Sequence, residues 1–338
     1  MSRTLFSLVL ALIVQGAAAS ESTRLDDLPE TRAFIDEMVS RHGFNGPELS
    51  RQFEQITSNS RVLQLIKPAS SPTQRSWERY RPRFLNEQRI NGGVRFWQEN
   101  KASLIRARAL YGIPEEVIVA IIGVETLYGA NTGGFRVFEA LATLAFQYPR
   151  RAEFFRTELE QLLLLCRENK LDPLSVKGSF AGAIGIPQFM PGSQRRFAVD
   201  FDGDQRVDLS NSVDDAIGSV ARFLEQHGWA EGQPIAVPAR TATTPSSDLI
   251  EAGIYPNLDI TALETQGIHG APVSQSKAAL IDLVSPGKAT EYWLGFNNFY
   301  VLTRYNRSSF YAMSVFQLAS EIRQRMPVQE ALTTAYKP

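Results

Sequence analysis

Cysteine and histidine are scarce in this chain. Its 338 residues include one cysteine and three histidines. One cysteine cannot form an internal disulfide, and Cys166 follows four consecutive leucines, which predicts a buried apolar side chain rather than a reactive thiol. His42, His227 and His269 lie far apart and share no metal-ligand spacing. These scarcities argue against a disulfide framework, a zinc site and a Ser-His-Asp triad.

An excess of charge is absent as well. Lysine and arginine total 35 against 36 for aspartate and glutamate, so the formal net charge is −1. A protein that binds a phosphate backbone needs clustered excess basic residues, so we expect no nucleic-acid partner. The hydrophobic fraction of 43% and the charged fraction of 21% are typical of a globular protein with a packed core.

The apolar run near the N-terminus is too short to cross a membrane. Leu5 to Val14 is about ten residues long, whereas a membrane-spanning helix needs about twenty. Arg3 precedes the run and Ala17-Ala18-Ala19 follows it, as in a secretory signal peptide with its cleavage site. No cysteine stands directly after the run, so the acylated residue of a bacterial lipoprotein is missing. We expect an exported, soluble, periplasmic protein without a membrane anchor, and an uncleaved anchor is the alternative.

Most of the chain has helical patterns. Residues 28–111 are helical and rich in polar residues, and two long helices are predicted between Ile113 and Lys170. The first begins at Pro114, a residue well suited to the first helical position, and the second runs from Arg151 to Asn169. Further helices are predicted at Ala216–His227 and Tyr311–Arg325.

After Gly232 the pattern changes to short β-branched and aromatic runs between Pro, Gly, Ser and Asn residues. These runs predict small strands at Pro234–Ala239, Ala278–Val284 and Tyr300–Arg304, with a surface loop at Thr241–Asp248. The expected fold class is therefore mainly α (α+β), with a small β insertion late in the chain.

Glu125 follows a strongly apolar helical segment. Residues four apart share a helix face, so Val117, Ile121 and Glu125 form one row that faces the core. A carboxyl held against apolar walls has a raised pKa and can donate a proton near neutral pH, as a glycosidic leaving oxygen requires. We therefore consider Glu125 a candidate catalytic acid. Alternatively, it turns to solvent at the helix end or pairs with Arg108 or Arg136.

Two later segments have the composition of a sugar-binding groove. Residues 178–191 contain three glycines and a Pro-Gln pair, which bring backbone close to a ligand, and Ser179 and Gln188 supply neutral hydrogen-bonding groups. Residues 297–311 combine aromatic side chains with amides, and sugars are bound by aromatic faces and amide groups. Each segment alone also fits an ordinary glycine hinge or a hydrophobic junction.

An acidic loop resembles an EF-hand. Its positions 1, 3, 5 and 7 are Asp200, Asp202, Asp204 and Arg206, the last through its carbonyl. Gln205 stands where a glycine normally makes the turn, and a left-handed conformation there costs on the order of 1 kcal/mol. Asn211 replaces the closing glutamate, so Asp214 or Asp215 must close a longer loop. The alternative is an acidic turn that caps the next helix without a metal.

Together these segments resemble the lytic murein transglycosylase B family. The motifs occur in the family's order between about Ser76 and Ala312. They are Gly123-Val124-Glu125-Thr126, Gly178-Ser179-Phe180-Ala181-Gly182-Ala183, Pro187-Gln188-Phe189-Met190-Pro191, Asp200-Phe201-Asp202-Gly203-Asp204 and Thr303-Arg304-Tyr305-Asn306. The missing lipoprotein cysteine resembles the soluble branch of the family. The resemblance implies a lysozyme-like helical core, accessory α and β parts and a deep groove for glycan strands.

The resemblance also implies a division of the chain and roles for single residues. We expect a signal peptide (1–19), an N-terminal helical region that contributes to the groove (20–110), a lysozyme-like core with the EF-hand-like loop (111–230), a small β-containing insertion (231–290) and a return to the core with a groove wall and C-terminal helix (291–338). Glu125 matches the family's acid/base residue. The matching substrate-binding residues are Ser179, Gln188, Tyr80, Tyr305, Asn306 and Tyr311.

The loop matches a lengthened calcium site with a structural Ca²⁺ between Asp200 and Asp215, and no organic cofactor is expected. Its implied metal-binding residues are Asp200, Asp202, Asp204, Arg206 and Asp214. One residue departs from the family pattern: Phe223 stands where relatives often carry tyrosine, so a hydroxyl contact to substrate is missing here.

The expected reaction is cleavage of the β-1,4 bond between N-acetylmuramic acid and N-acetylglucosamine without water. Ordinary glycosidases pair two carboxylates, but the groove motifs contain no second acid. One glutamate then acts as acid and afterwards as base. By resemblance, the attacking group is the C6 hydroxyl of muramic acid, already in place, and the product is a 1,6-anhydro sugar. The alternatives are a hydrolytic muramidase that uses Asp172 or Glu139 to activate water, and a non-catalytic peptidoglycan-binding protein. Glycan strands are the expected partner and other cell-wall enzymes are further candidates, whereas the sequence does not define an oligomeric state.

Overall fold

The computed structural model describes residues 24–67, 75–270 and 275–327. The predicted signal peptide, residues 1–19, lies outside these ranges. Within them, no helix combines the length and the apolar character needed to cross a membrane.

Helices are the main secondary structure of the described N-terminal half. They are α1 (Pro29–His42), α2 (Gly46–Phe53), α3 (Ser60–Leu65), α4 (Trp77–Tyr80), α5 (Glu87–Glu99), α6 (Lys101–Tyr111), α7 (Glu115–Thr126), α8 (Val137–Gln147) and α9 (Ala152–Glu168), with short 3-10 turns at Arg81–Arg83 and Pro149–Arg151. Several begin at a capping side chain that satisfies an otherwise unpaired backbone N–H. Asn59 accepts from the amide of Val62 at the start of α3, and Asn86 accepts from that of Arg89 at the start of α5.

The second half mixes helices with short strands. The helices are α10 (Pro191–Phe197), α11 (Val213–Gln226), α12 (Ser247–Glu251), α13 (Ile260–Thr265), α14 (Asn297–Tyr305) and α15 (Ser309–Arg325). The strands of the described chain are β1 (Phe135–Arg136), β2 (Lys177–Gly178), β3 (Ala236–Pro238), β4 (Arg240–Thr241), β5 (Leu258–Asp259), β6 (Ile268–His269), β7 (Lys277–Leu283) and β8 (Glu291–Gly295).

The main sheet is antiparallel and has the strand order β3-β8-β7-β5. Side chains alternate between the two faces of a strand, and in β7 both faces are covered. Ala279 and Ile281 belong to the largest hydrophobic cluster, whereas Ala278 and Leu280 belong to a small separate one. The sheet therefore attaches the β insertion to the helical core through one face and builds its own core on the other.

Two hydrophobic clusters account for the helical core. One is built mainly by α5, α6, α7, α11, α14 and α15, and the other by α1, α2, α3, α8 and α9. Helix α7 lies at the centre of the first, where residues 117–122 are at most 2% exposed. The turn of residues 184–189 joins the two clusters, because Ile184 packs into the second and Ile186 and Phe189 pack into the first.

The predicted fold class is confirmed, with local differences. Tyr300–Arg304 was predicted as a strand, and this is wrong: the segment lies in α14. Buried Phe299 and Leu302, three residues apart, share one face of that helix and pack into the core, which outweighs the strand preference of β-branched and aromatic residues. Helix α8 was not predicted as a separate helix between the two long ones.

The predicted division into regions stays a prediction. Helices α1 to α3 and helix α5 fall within the predicted region 20–110, and so does α6 except for its last residue, yet they pack into different hydrophobic clusters. Sequence order and spatial grouping therefore differ in this part of the chain.

Candidate active site

Glu125 is the second-last residue of α7 and is partly exposed, although the helix before it is buried. Its Oε1 accepts a hydrogen bond of 2.6 Å from the hydroxyl of Tyr311. Burial raises the pKa of Glu125 to about 7, and the hydrogen bond from Tyr311 opposes that rise to a smaller extent. The protonated and ionised forms of this carboxyl are therefore both accessible near neutral pH.

The alternative partners suggested for Glu125 are engaged elsewhere. Arg108 forms a 3.1 Å ion pair with buried Glu115, and Arg136 lies 3.8 Å from Glu139. Among the described residues, neither arginine forms an ion pair with Glu125. Tyr311, which belongs to α15, is the side chain that contacts the carboxyl instead.

The end of α7 is held by Thr126. Its hydroxyl donates to the carbonyl of Ile186 at 2.8 Å and accepts from the amide of Gly129 at 2.9 Å. Leu127 and Tyr128 then turn the chain with φ values of 53° and 62°, a conformation that is unfavourable for residues other than glycine. These contacts fix Glu125 relative to the turn of residues 184–189, and the sequence had not indicated them.

Gly123 allows the ring of Tyr128 to lie against α7. A Cβ atom at Gly123 would lie 2.5 Å from the Tyr128 hydroxyl oxygen, which is closer than real contacts allow. That hydroxyl donates to the carbonyl of Arg89 in α5 at 2.7 Å. A glycine within a strongly apolar helix was the only sequence signal for this contact, because glycine there usually has a packing reason.

Three predicted tyrosines lie around Glu125. The rings of Tyr305 and Tyr311 are stacked, with centroids 6.4 Å apart and an interplanar angle of 14°. Burial raises the pKa of both phenols well above the ordinary value, and the nearby charge of Glu125 adds to the effect. Burial and then the charge of Glu125 also raise the pKa of Tyr80. The structure thus brings together one carboxyl and three aromatic rings from distant parts of the chain.

The turn that carries Ser179 and Gln188 is shaped by its own hydrogen bonds. The Ser179 hydroxyl accepts from the amide of Ala183 at 3.0 Å. The side-chain Nε2 of Gln188 donates to the carbonyls of Thr132 at 3.0 Å and Gly185 at 2.9 Å. Since Gln188 Oε1 makes no hydrogen bond within the described chain, it is a candidate acceptor for a ligand.

Two residues of the same turn have a left-handed backbone conformation. Gln188 has a φ of 52°, and Gly185 has a φ of 73°. A Cβ atom at Gly185 would lie 2.3 Å from the carbonyl oxygen of Leu209, so only glycine fits there. Strained backbone of this kind is concentrated at functional sites.

Asn306 and Phe223 flank Tyr305 differently. Asn306 directly follows α14 and is exposed. Phe223 is buried, and its ring meets that of Tyr305 edge-on, with the centroids 4.8 Å apart. Tyr305 is further held by a 2.6 Å hydrogen bond from its hydroxyl to the carbonyl of Pro187. Phe223 therefore supports the ring of Tyr305 as a packing residue.

A second carboxylate is not found beside Glu125 among the described residues. Asp172 is exposed and accepts from the amide of Leu174 at 3.0 Å, and Glu139 lies 3.8 Å from Arg136. The pKa of Glu125 responds to burial and to Tyr311, with no contribution from another acid. A paired-carboxylate arrangement has no support in this geometry.

The acidic loop fits a cation through three residues. One carboxylate oxygen each from Asp200, Asp202 and Asp204 lies within 4.8 Å of the others. Asp200 accepts from the amides of Gly203 and Gln205, each at 2.7 Å, and Gln205 has the positive φ expected from its position, 69°. Clustered carboxylate oxygens suit a hard cation such as calcium.

The structure does not bring Asp214 into this cluster. Its carboxylate accepts a hydrogen bond from the hydroxyl of Ser103 in α6, which turns it away from the other three acids. Asp215 closes the loop without joining the cluster, because its two oxygens accept from the amides of Phe201 and Asp208, each at 2.7 Å. The amide of Arg206 donates to Asp204 at 2.8 Å.

Comparison with known proteins agrees with this geometry. Residues 27–320 match the family described as the transglycosylase SLT domain. The chain belongs to this family. The transglycosylase is 42% identical over 304 residues to membrane-bound lytic murein transglycosylase B of Escherichia coli strain K12. The aligned residues cover 87% of this chain and 82% of the relative.

Solved structures give the same result. Soluble lytic transglycosylase SltB1 from Pseudomonas aeruginosa has a TM-score of 0.82 and 45% identity, with 88% of this chain and 99% of that chain covered. The Escherichia coli lytic transglycosylase Slt35 in complex with calcium has a TM-score of 0.81 and 40% identity, with 90% and 95% covered. The family resemblance inferred from the motifs is confirmed.

Proposed function

We propose that the transglycosylase cleaves the β-1,4 bond between N-acetylmuramic acid and N-acetylglucosamine in peptidoglycan, with Glu125 as its one acid and base. The observation that carries the proposal is the isolation of this carboxyl. Burial brings its pKa to about 7, and Tyr311 is the side chain that hydrogen-bonds to it. A group with such a pKa can give up a proton and take one back at neutral pH.

The reaction then has two proton transfers. Protonated Glu125 donates its proton to the glycosidic oxygen as the bond to the muramic acid C1 breaks, and the leaving sugar departs with a free hydroxyl. The resulting carboxylate accepts the proton of the muramic acid C6 hydroxyl while that oxygen bonds to C1. The product is a 1,6-anhydro ring, no water is consumed, and Glu125 regains its proton.

The surrounding residues have distinct roles in this proposal. The Tyr311 hydroxyl donates to the ionised carboxylate of Glu125, and so stabilises it between the two transfers. The rings of Tyr305 and Tyr80 line the sugar-binding surface beside it. Gln188 Oε1 and the side chain of Ser179 supply hydrogen-bonding groups at the opposite turn.

Asn306 completes the wall from the exposed end of α14. It would offer its amide to sugar hydroxyls next to Tyr305, since amides both donate and accept hydrogen bonds. Peptidoglycan glycan strands are accordingly the proposed substrate, and the proposed place of action is the cell envelope, reached by export.

Calcium is proposed as a structural ion in the acidic loop. The carboxylates of Asp200, Asp202 and Asp204 would hold it, and the ion would neutralise three like charges that otherwise repel. A solved relative in complex with calcium supports this assignment. The ion takes no part in the reaction.

Digestion of isolated peptidoglycan in ¹⁸O-labelled water tests the proposed reaction. Intramolecular attack leaves anhydro ends without the label, which mass spectrometry detects directly. Hydrolysis would instead give reducing ends that carry one ¹⁸O atom, and a purely binding protein would release no fragments. Labelled reducing ends as the main product would overturn the proposal.

A further inference from the structure

A cavity of about 920 Å³ lies beside the acidic loop. The end of α9, strand β2 and residues 205–211 form its walls. Thr132 lines it, and the same residue accepts the hydrogen bond from Gln188 at the groove. The volume lies within the range of about 300–1,000 Å³ that ligand pockets usually have.

The acidic residues that line the cavity have partners, whereas the basic residues that line it form no ion pairs with described residues. Glu168 is paired with Arg195 at 2.6 Å, and Asp208 accepts from two backbone amides at 3.0 Å each. Lys170, Lys177 and Arg206 also line the cavity and are exposed. Within residues 24–67, 75–270 and 275–327 these three cations form no ion pair. The wall therefore offers positive charge to an incoming anion.

A buried amide on the same wall lacks a partner. Gln194 is 8% exposed, and its Oε1 is buried with no hydrogen bond to any described residue. Buried acceptors are nearly always satisfied, and an exception needs an explanation. Gln194 itself lines the cavity, so a rotation of its side-chain amide would bring this oxygen to a ligand N–H, such as that of a peptide bond.

The cavity wall also contains strained backbone. Lys170 and Gln205 have φ values of 55° and 69°, although neither is glycine. Both residues line the cavity. Strain held at two places on one wall is typical of a surface kept in shape for binding.

From these features we infer that the cavity binds the acidic peptide attached to the muramic acid of the glycan strand. Lys170 and Lys177 would pair with peptide carboxylates, and Gln194 Oε1 would accept from a peptide N–H. The described residues that line the cavity include no aromatic side chain, so they lack the flat faces on which the groove tyrosines can hold sugar rings. This inference rests on the proposed function and adds a preference for peptide-bearing strands.

The test compares two substrates, glycan oligosaccharides with their peptides and the same oligosaccharides after enzymatic removal of the peptides. The Lys170→Gln/Lys177→Gln variant removes two exposed charges. We expect the ratio of kcat/KM for peptide-bearing to peptide-free substrate to fall about fivefold or more, mainly through KM, because each exposed ion pair contributes modestly. The matched control is Arg240→Gln/Lys277→Gln, which removes two exposed charges from the β insertion. It should leave the ratio unchanged.

A second variant tests the buried amide. Gln194→Met has a similar volume but no polar atoms, so the ratio should fall again while the melting temperature holds or rises. An unchanged ratio in both variants would overturn the inference. So would an equal loss on both substrates, which would make the cavity a part of the glycan groove. If the wild-type protein cleaved neither substrate, the proposed function itself would fail.

Discussion

Glu125→Gln preserves the shape of the side chain and removes its ability to transfer a proton. The amide oxygen can still accept from the Tyr311 hydroxyl, which donates at 2.6 Å in the wild-type protein. General acid–base catalysis typically contributes about 10²–10⁴ in rate, and here one group would perform both transfers. Release of anhydro-muropeptides should therefore fall at least about a hundredfold, while binding of glycan survives.

The Glu125→Gln variant should lose activity but gain stability relative to the wild type, and the gain in stability should appear only at higher pH. The folded-state pKa of about 7 lies above the ordinary value of 4.5 for a glutamate, so the folded protein binds more protons than the unfolded chain between these values. Wild-type stability therefore falls as the pH rises through this window. The difference in pKa corresponds to at most about 3 kcal/mol, and partial exposure of Glu125 reduces it.

Glutamine carries no charge and avoids this loss. The melting temperature of Glu125→Gln minus that of the wild type should be close to zero at pH 4 and clearly positive at pH 8. Calorimetry at both pH values checks the expected change in stability, and product analysis by mass spectrometry checks the expected loss of activity. Asp172→Asn is the control and should stay within a few-fold of wild-type activity. Near-normal release of anhydro products by Glu125→Gln would refute the assignment, and a pH-independent melting difference would refute the buried-carboxyl argument.

Three further changes have defined outcomes. Tyr311→Phe removes the hydrogen bond that lowers the pKa of Glu125, so the alkaline limb of the pH–rate profile should move to higher pH as turnover falls; an unmoved limb would contradict the contact. Added calcium should raise the melting temperature through binding to the folded state, and the gain should vanish in Asp202→Ala/Asp204→Ala; identical curves with calcium and with chelator would favour a metal-free turn. Thr126→Val leaves the buried carbonyl of Ile186 without its donor, so a denaturant titration should show the free energy of unfolding lowered by about 1–3 kcal/mol. The fall in kcat should be larger than the change in KM. Wild-type stability would show that the hydroxyl is dispensable.

The predicted site residues differ in how their surroundings could be foreseen. Local periodicity was enough to place Glu125 at the end of an apolar helix row, and the buried row at Val117 and Ile121 agrees with it. The contact with Tyr311 could not be foreseen, because the two residues are 186 positions apart and meet only when α15 packs on α7. For Asp214 the loop spacing suggested a metal ligand, but its carboxylate accepts a hydrogen bond from Ser103 in α6 instead of joining the acidic cluster.

The wrong prediction of a strand at residues 300–304 also arose from tertiary contacts that the local sequence does not reveal. Its β-branched and aromatic residues prefer strands, but Phe299 and Leu302 are buried on one side of a helix that packs into the core. Intrinsic preferences of this kind are small, and burial of several large side chains outweighs them. Short apolar runs are therefore ambiguous until their neighbours are known.

The sequence by itself determined the mainly helical class, the EF-hand-like spacing and the family, because these depend on residue order and local periodicity. The tertiary structure decided which groups meet. It placed Tyr80, Tyr305 and Tyr311 around one carboxyl, and it gave that carboxyl a pKa of about 7. A pKa shift depends on how much water the surrounding atoms exclude, and that quantity exists only once distant segments are packed together.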